Sequence, residues 1–507
     1  MRIFTAALLA LVFVFQANAN TPPSKSNTVT ISAAFEFANV DPSSSGYIFT
    51  RMQVIETLFD VDNSGDLLPG LALEATPNNE LTEWTITLRD GVRFHDDSLM
   101  NADTVVNSLN IALSKYGSLG KVPVKNILAQ GENKVVIELS EAYKSLPAVL
   151  ANYSNVILSR ASYAEDGKVV NLIGTGPYSL FEVKPPHKIT VKKFDGYWGK
   201  KASIEYATYL TGHRGESRVL QATSGQADIA LQLSPASIMR LKMNPQTDVQ
   251  SYSLPRTLVL KLNNAHPFLN SVKARQALSL AIDRKGIASA VLGTPDSGTA
   301  QLLPSSMSDW YLESFANPES DIQKAKAMLK ELGWTENSQG LLERDGKVFE
   351  LSLITYADRP ELTNVATALQ AQWKKLGVKL NVSITSSSSI PAGHQDGSLE
   401  VALIARNYGV IADPLVVLSN DFSAEGGDWG AMNWSNPEFN QLIKQLNYTL
   451  DADKYREKAQ RAATILATEL PVIPVSAYTE EVSVNKRLKG FHFDPFGRNF
   501  YLSDLEF

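Results

Sequence analysis

The sequence predicts an α/β protein of layered sheets and helices. Three observations carry that prediction. From Tyr252 onward, strand-like apolar runs alternate with amphipathic helical stretches, the order that builds parallel strands covered by helices. Apolar residues make up 44% of the chain and charged residues 20%, an ordinary globular balance with ample core. No segment repeats at a fixed period, which removes solenoids. At about 150 residues per domain, 507 residues make roughly two to four domains.

The first segment, MRIFTAALLALVFVFQANAN, has the pattern of a secretory signal. Arg2 is a short positive region, Ala6 to Phe15 an apolar one, and Ala17 to Ala19 a small-residue cleavage site. The apolar run is too short to span a bilayer. Cleavage after Ala19 is expected, with Asn20 first in a mature chain outside the cytoplasm. Next, NTVTISAAFEFANVDP reads as a strand ending in a turn at Asp41-Pro42. Thr82 to Phe94 alternates with period two and breaks at Asp90-Gly91, a hairpin signal. A helix follows from Asn101, a plausible cap, with Asp103 in its first turn and Val106, Leu109 and Leu113 on one face. NKVVIELSE is another strand.

From Tyr252 the order resets. LVLKLNNAHPF is a strand and turn, and VKARQALSLAIDRKGIASAVL an amphipathic helix. DIQKAKAMLKELGW is a helix stopped by Gly333; VFELSLITY is a strand. ELTNVATALQAQWKKLGVKLNVSI is a long helix, a stop at Gly377 and a strand. Thr385 to Gly393, TSSSSIPAG, reads as a surface or cleft loop. A last helix, DADKYREKAQRAATILATEL, precedes two strands, LPVIPVSAY and EEVSVN.

The composition excludes several functions. The net charge is −6, with no basic stripe, so nucleic-acid binding has no support. The chain has no cysteine, hence no disulfide, thiolate metal site or lipid-anchoring thiol. HExxH, GxSxG and glycine-rich phosphate loops are missing, and the six histidines are scattered singly. An enzyme is not expected, and neither is a resident cofactor.

One stretch raises a chemical question. ARNYGVIADP, Ala405 to Pro414, follows a buried strand pattern, and Arg406 has no neighbouring acid. Ligands of α/β lobes bind outside the carboxyl ends of strands, which would place Arg406, Asn407 and Tyr408 at a site. An arginine fork can hold a carboxylate by two parallel hydrogen bonds. Its alternative partner is a distant acid such as Asp428 or Glu425. In SGYIFTRMQVIETL, Tyr47 and Arg51 precede an apolar run; Arg51 is either a second clamp or a surface ion pair. In EGGDWGAMNWSNPEF, Trp429 and Trp434 either wall a pocket or pack a loop.

Six stretches, taken together and in order, resemble the large extracytoplasmic solute-binding proteins of ABC importers, family 5, the peptide and nickel class. They are WTITLRDGVRFHDDS, IGTGPYSLFEV, FDGYWGKKASIEYATY, RQALSLAIDRKGI, AKAMLKELGW and LPVIPVSAY. Trp84, Tyr197 and Trp198 within them read as core or interlobe packing. Asp97 stands where the family usually has glycine.

The resemblance implies the class II periplasmic binding-protein fold, two α/β lobes with a subdomain inserted in the first. Lobe one is expected at 20–255 and 478–507, the inserted part at about 57–170, and lobe two at 256–477. It implies a periplasmic receptor, expected as a monomer, that hands its ligand to the transmembrane subunits of an ABC permease. Peptide-binding relatives place an aspartate where this chain has Val410, and a valine cannot counter a ligand ammonium. Arg406, Tyr408 and Gly409 instead match the nickel-importing branch, with opine-type metallophore receptors nearest. Leu415 stands where some nickel binders have a metal-contacting histidine. The cargo is therefore expected to be nickel or another transition-metal ion already wrapped in a carboxylate-bearing chelator. The alternative is a dipeptide or oligopeptide receptor of the same fold.

Overall fold

The computed structural model describes residues 22–233, 235–315, 319–356 and 359–507; the expected signal segment lies outside them. A ten-stranded mixed sheet runs through the molecule. Its strand order is 379–385, 350–356, 401–407, 247–262, 472–485, 229–230, 28–33, 206–211, 188–193 and 178–184. Val401–Asn407 and Glu350–Tyr356 pair in parallel, as do Thr28–Ala33 and Tyr206–Thr211. The two central strands, Thr247–Leu262 and Val472–Asn485, are antiparallel and unusually long. The first half of one and the second half of the other face the first lobe; the remaining halves face the second. LPVIPVSAY and EEVSVN are thus one continuous strand, not two.

The apolar cores divide accordingly. One gathers residues 258–475 and centres on Trp334, Phe349 and Trp373. A second joins residues 29–231 to 482–505. A third holds Leu58 to Ile157 around a four-stranded sheet, 72–77, 83–88, 134–139 and 124–129. The helix Ala102–Ser114 covers that sheet; Asn101 caps it reciprocally with Thr104.

Local signals were mostly read as they fold. Gly377 ends the helix Pro360–Leu376 with a φ of 93°, open to glycine at no steric cost. Asp97 holds a φ of 64°, in the left-handed region that favours glycine. Three further expectations are corrected. Glu83–Leu88 does not fold back on 92–94; it pairs with Ala72–Pro77 and Lys134–Leu139, because Val92 and Phe94 turn into the subdomain core. The helix expected over 272–292 breaks after Leu280, where Asp283 caps a new turn through the Gly286 amide and Arg284 is drawn inward to carbonyls of Ser279, Thr299 and Pro474. The serine-rich loop contains a short helix, Ser389–Gln395, anchored by buried Ile390.

Candidate functional site

A cavity of about 500 Å³ lies between the lobes. The first lobe and its subdomain contribute residues from Phe35 to Trp198, the second lobe Asn407, Gly409, Val410 and Ala412, and the tail Phe496 to Tyr501. Contacts close its rim across the lobes. Asn152 donates to the Val410 carbonyl (3.0 Å), and the Ser145 hydroxyl to Asp413 (2.5 Å).

The helix Pro42–Arg51 sets one wall. Asp41 caps it, accepting from the Ser43 amide (3.0 Å) and pairing with Lys115 (2.7 Å). Its C-terminal half delivers Tyr47 and Arg51 to the cavity. The Arg51 Nε donates to the Gly497 carbonyl (2.5 Å), and the guanidinium lies over the rings of Phe35 (4.5 Å) and Tyr47 (5.7 Å). Arg51 makes no ion pair among the described residues. Burial lowers its pKa, yet a guanidinium keeps its proton. The cavity therefore carries a fixed cation softened by aromatic faces.

Two acids also line the cavity. Glu56 accepts from the Tyr197 hydroxyl (2.8 Å), Trp198 Nε1 (3.0 Å) and the Thr175 hydroxyl (2.7 Å). Burial lifts its carboxyl to about 7 despite those donors. Asp60 pairs with Arg498 (3.2 Å), which also pairs with fully buried Asp494 (3.0 Å). Burial raises Asp60 too, with Arg498 pulling the other way.

The Glu56 shift has a testable consequence. The folded chain keeps this proton between about pH 4.5 and 7, where the unfolded chain has lost it. Stability is therefore greatest below that window and falls as pH rises through it. Glu56→Gln should raise the unfolding free energy at pH 8 by at most about 3 kcal/mol and leave it unchanged at pH 4. The amide fits: its oxygen accepts from Trp198 and Thr175, and its nitrogen donates to the Tyr197 oxygen. Denaturation of both proteins at the two pH values checks this; equal gains at both would remove the titration as cause.

The structure separates the residues singled out in the sequence. Tyr47, Arg51 and Asn407 line the cavity. Arg406, Tyr408, Trp429 and Trp434 do not line it. Neighbouring strand residues face opposite sides, so Asn407 toward the cavity turns Arg406 away. Arg406 closes its fork on Asp421, Nε to Oδ2 at 2.5 Å and Nη2 to Oδ1 at 2.8 Å. Its partner is neither Asp428 nor Glu425. Tyr408 is buried in a cluster with Leu415, Phe422 and Trp434. Trp434 donates to Glu469 (2.7 Å), and Trp429 packs on the second lobe's core edge-on to Tyr356. Tyr197 and Trp198, read as packing, hold Glu56 at the cavity wall. Glu56, Asp60 and Arg498 were not anticipated; the one signal was an acid inside the apolar run VIETLF.

Among the described residues, no group of three or more histidines, aspartates or glutamates is placed to hold a metal ion. No described helix is long and apolar enough to cross a membrane.

The chain is 25% identical over 460 residues to the nickel-binding protein NikA of Staphylococcus aureus, covering 90% of this chain and 89% of that one. It is also 25% identical over 472 residues to the dipeptide-binding protein of Escherichia coli, covering 86% and 85%. The crystal structure of NikA from Brucella suis in complex with Fe(III)-EDTA superposes with a TM-score of 0.85 at 20% identity, over 94% of this chain and 99% of that one. Residues 66–429 match the family described as bacterial extracellular solute-binding proteins, family 5 Middle. With that match spanning most of its two lobes, the chain belongs to the family 5 extracellular solute-binding proteins, receptors of the ABC importer class.

Proposed function

We propose that this protein is a periplasmic receptor that captures a carboxylate-bearing metal chelate, nickel foremost, and delivers it to an ABC permease. The single observation that carries the reading is Arg51, a guanidinium on the cavity wall without a carboxylate partner. An incoming carboxylate would offset its desolvation and take its remaining donors. Tyr47 and Asn407 frame that point, and the wall of Tyr153, Tyr197 and Trp198 suits the apolar faces of a small chelate. The cavity-lining groups are two guanidiniums, of which Arg498 is already paired, with amides, hydroxyls, rings and two engaged acids, a set suited to the chelator more than to a bare ion. Relatives named for nickel binding support the metal. In this reading the signal is cut after Ala19, and lobes at 20–255 with 478–507 and at 256–477 close on the ligand as a monomer.

A peptide receptor is the second reading. Glu56 and Asp60 favour it, since a carboxylate in the cavity could meet a peptide ammonium, and a dipeptide-binding relative exists. Thermal melts distinguish the two. A ligand at a hundredfold excess over Kd stabilises by about 2.7 kcal/mol. Nickel with histidine, or with an opine-type chelator, should raise the midpoint, and free nickel or Ala-Ala should not. A rise with Ala-Ala alone would replace the chelate by the peptide.

A further inference from the structure

A side cavity of about 70 Å³ adjoins the main one, and Arg51, Asn407 and Asn499 line both. One ordered water needs only roughly 10–15 Å³, so the space admits a carboxylate group. Arg256 and Glu480, which stand on the two long central strands, line it as well.

Arg256 is placed there by an irregularity in the pairing. Ser253 faces Thr479 and Thr257 faces Ala477, so extra residues bulge from the strand between them. Pro255 lies in that bulge, where it forfeits no ladder bond. On its other side Arg256 is in register with Asn407, a residue of the main cavity.

The Arg256 guanidinium is under-satisfied. Its Nε is buried without a hydrogen-bond partner, and it makes no ion pair among the described residues. It lies over the Tyr478 ring (5.1 Å), and Arg359 shares that ring (5.3 Å). Burial, and then the charge of Arg359, lower Arg256 to about 10, so it remains a cation at neutral pH. Nearby acids do not neutralise it. Asp494 is committed to Arg498 and to the amides of Phe496, Arg498 and Asn499. Glu480 accepts from the Gln232 backbone amide (2.5 Å) and forms no ion pair with Arg256; burial raises its carboxyl, with Arg256, Arg359 and Arg218 pulling the other way.

The geometry points to a second anion subsite, where Arg256 receives a further carboxylate of the ligand that Arg51 anchors in the main cavity. This rests on the carboxylate reading above and narrows it: the receptor selects diacids or polyacids over monoacids. The hinge strands then take part in recognition, because the ligand's second arm touches both.

Calorimetric titration tests the subsite with N-(1-carboxyethyl)alanine, an opine-type diacid, and its monoamide, each with and without equimolar nickel. Wild type should prefer the diacid at least about tenfold. Arg256→Gln should cut the preference to within about threefold by losing diacid affinity while the monoamide is unaffected. Arg256→Lys, which keeps charge without the fork, should fall between, and ligand-free melts monitor folding. Equal affinity of wild type for both probes overturns the subsite alone, without any variant. A loss of both probes in Arg256→Gln with a normal melt also overturns it, marking a bracing role. Binding of neither probe by wild type overturns the carboxylate reading and the subsite with it.

Discussion

Arg51→Ala should weaken binding of nickel–histidine or an opine chelate at least about thirtyfold. Removing one partner of a desolvated charge pair costs about 2–5 kcal/mol of affinity. Arg51→Lys should recover only part, since an ammonium lacks the planar fork and packs less well over Phe35 and Tyr47. The fold should persist. The Phe500 amide still bonds the residue 51 carbonyl (3.0 Å), which holds the tail segment in place after truncation. Titration calorimetry of the three proteins, with circular dichroism as a control, gives the answer. Wild-type affinity in Arg51→Ala would move the anchor to Arg498 and detach the proposed function from its main support.

Asp421→Ala should be the most damaging substitution for stability, at about 3–5 kcal/mol. The Asp421 side chain is 4% exposed, and its loss leaves the Arg406 guanidinium buried beside Lys261 with no counter-charge. Arg406→Ala should cost a similar amount by stranding the aspartate. The double variant should fall well short of the sum, since each single change already pays for the broken pair. Affinity for the chelate probes should stay within about threefold in all of them. Urea unfolding monitors the first claim and calorimetry the second. An Arg406→Ala variant with an unaltered urea midpoint and weakened binding would return this arginine to the cleft.

These two arginines show where the sequence was legible and where it was not. Helix stops at Gly333 and Gly377, the Asn101 cap and the alternation of strands are local signals, and the chain folds by them. Arg51 could be noticed because it ends a helix next to aromatic residues close in sequence. Arg406 looked the same on paper. Its partner stands fifteen residues on, past a turn and at the end of the helix Pro414–Asp421, at a position no spacing rule selects. Strand alternation could have separated Arg406 from Asn407, but the sequence does not say which face meets the cleft. Trp434 was ambiguous for a related reason: its acid, Glu469, arrives from a distant helix. Glu56, Asp60 and Arg498 meet only through tertiary structure, with more than four hundred residues between Asp60 and Arg498.

The shared central strands also order events in time. Ile229–Ala230 pairs with Thr28–Ala33 along one edge, but its other edge finds a neighbour only when Val472–Asn485 arrives, and so does one edge of Thr247–Leu262. Until Val472–Asn485 is in place, each half therefore presents an unpaired strand edge to its surroundings. Such edges invite pairing with other chains, and contacts this remote in sequence form slowly. The nascent chain is thus expected to be most prone to aggregate before Val472–Asn485 emerges, and that strand acts as the clasp that ends the vulnerable interval.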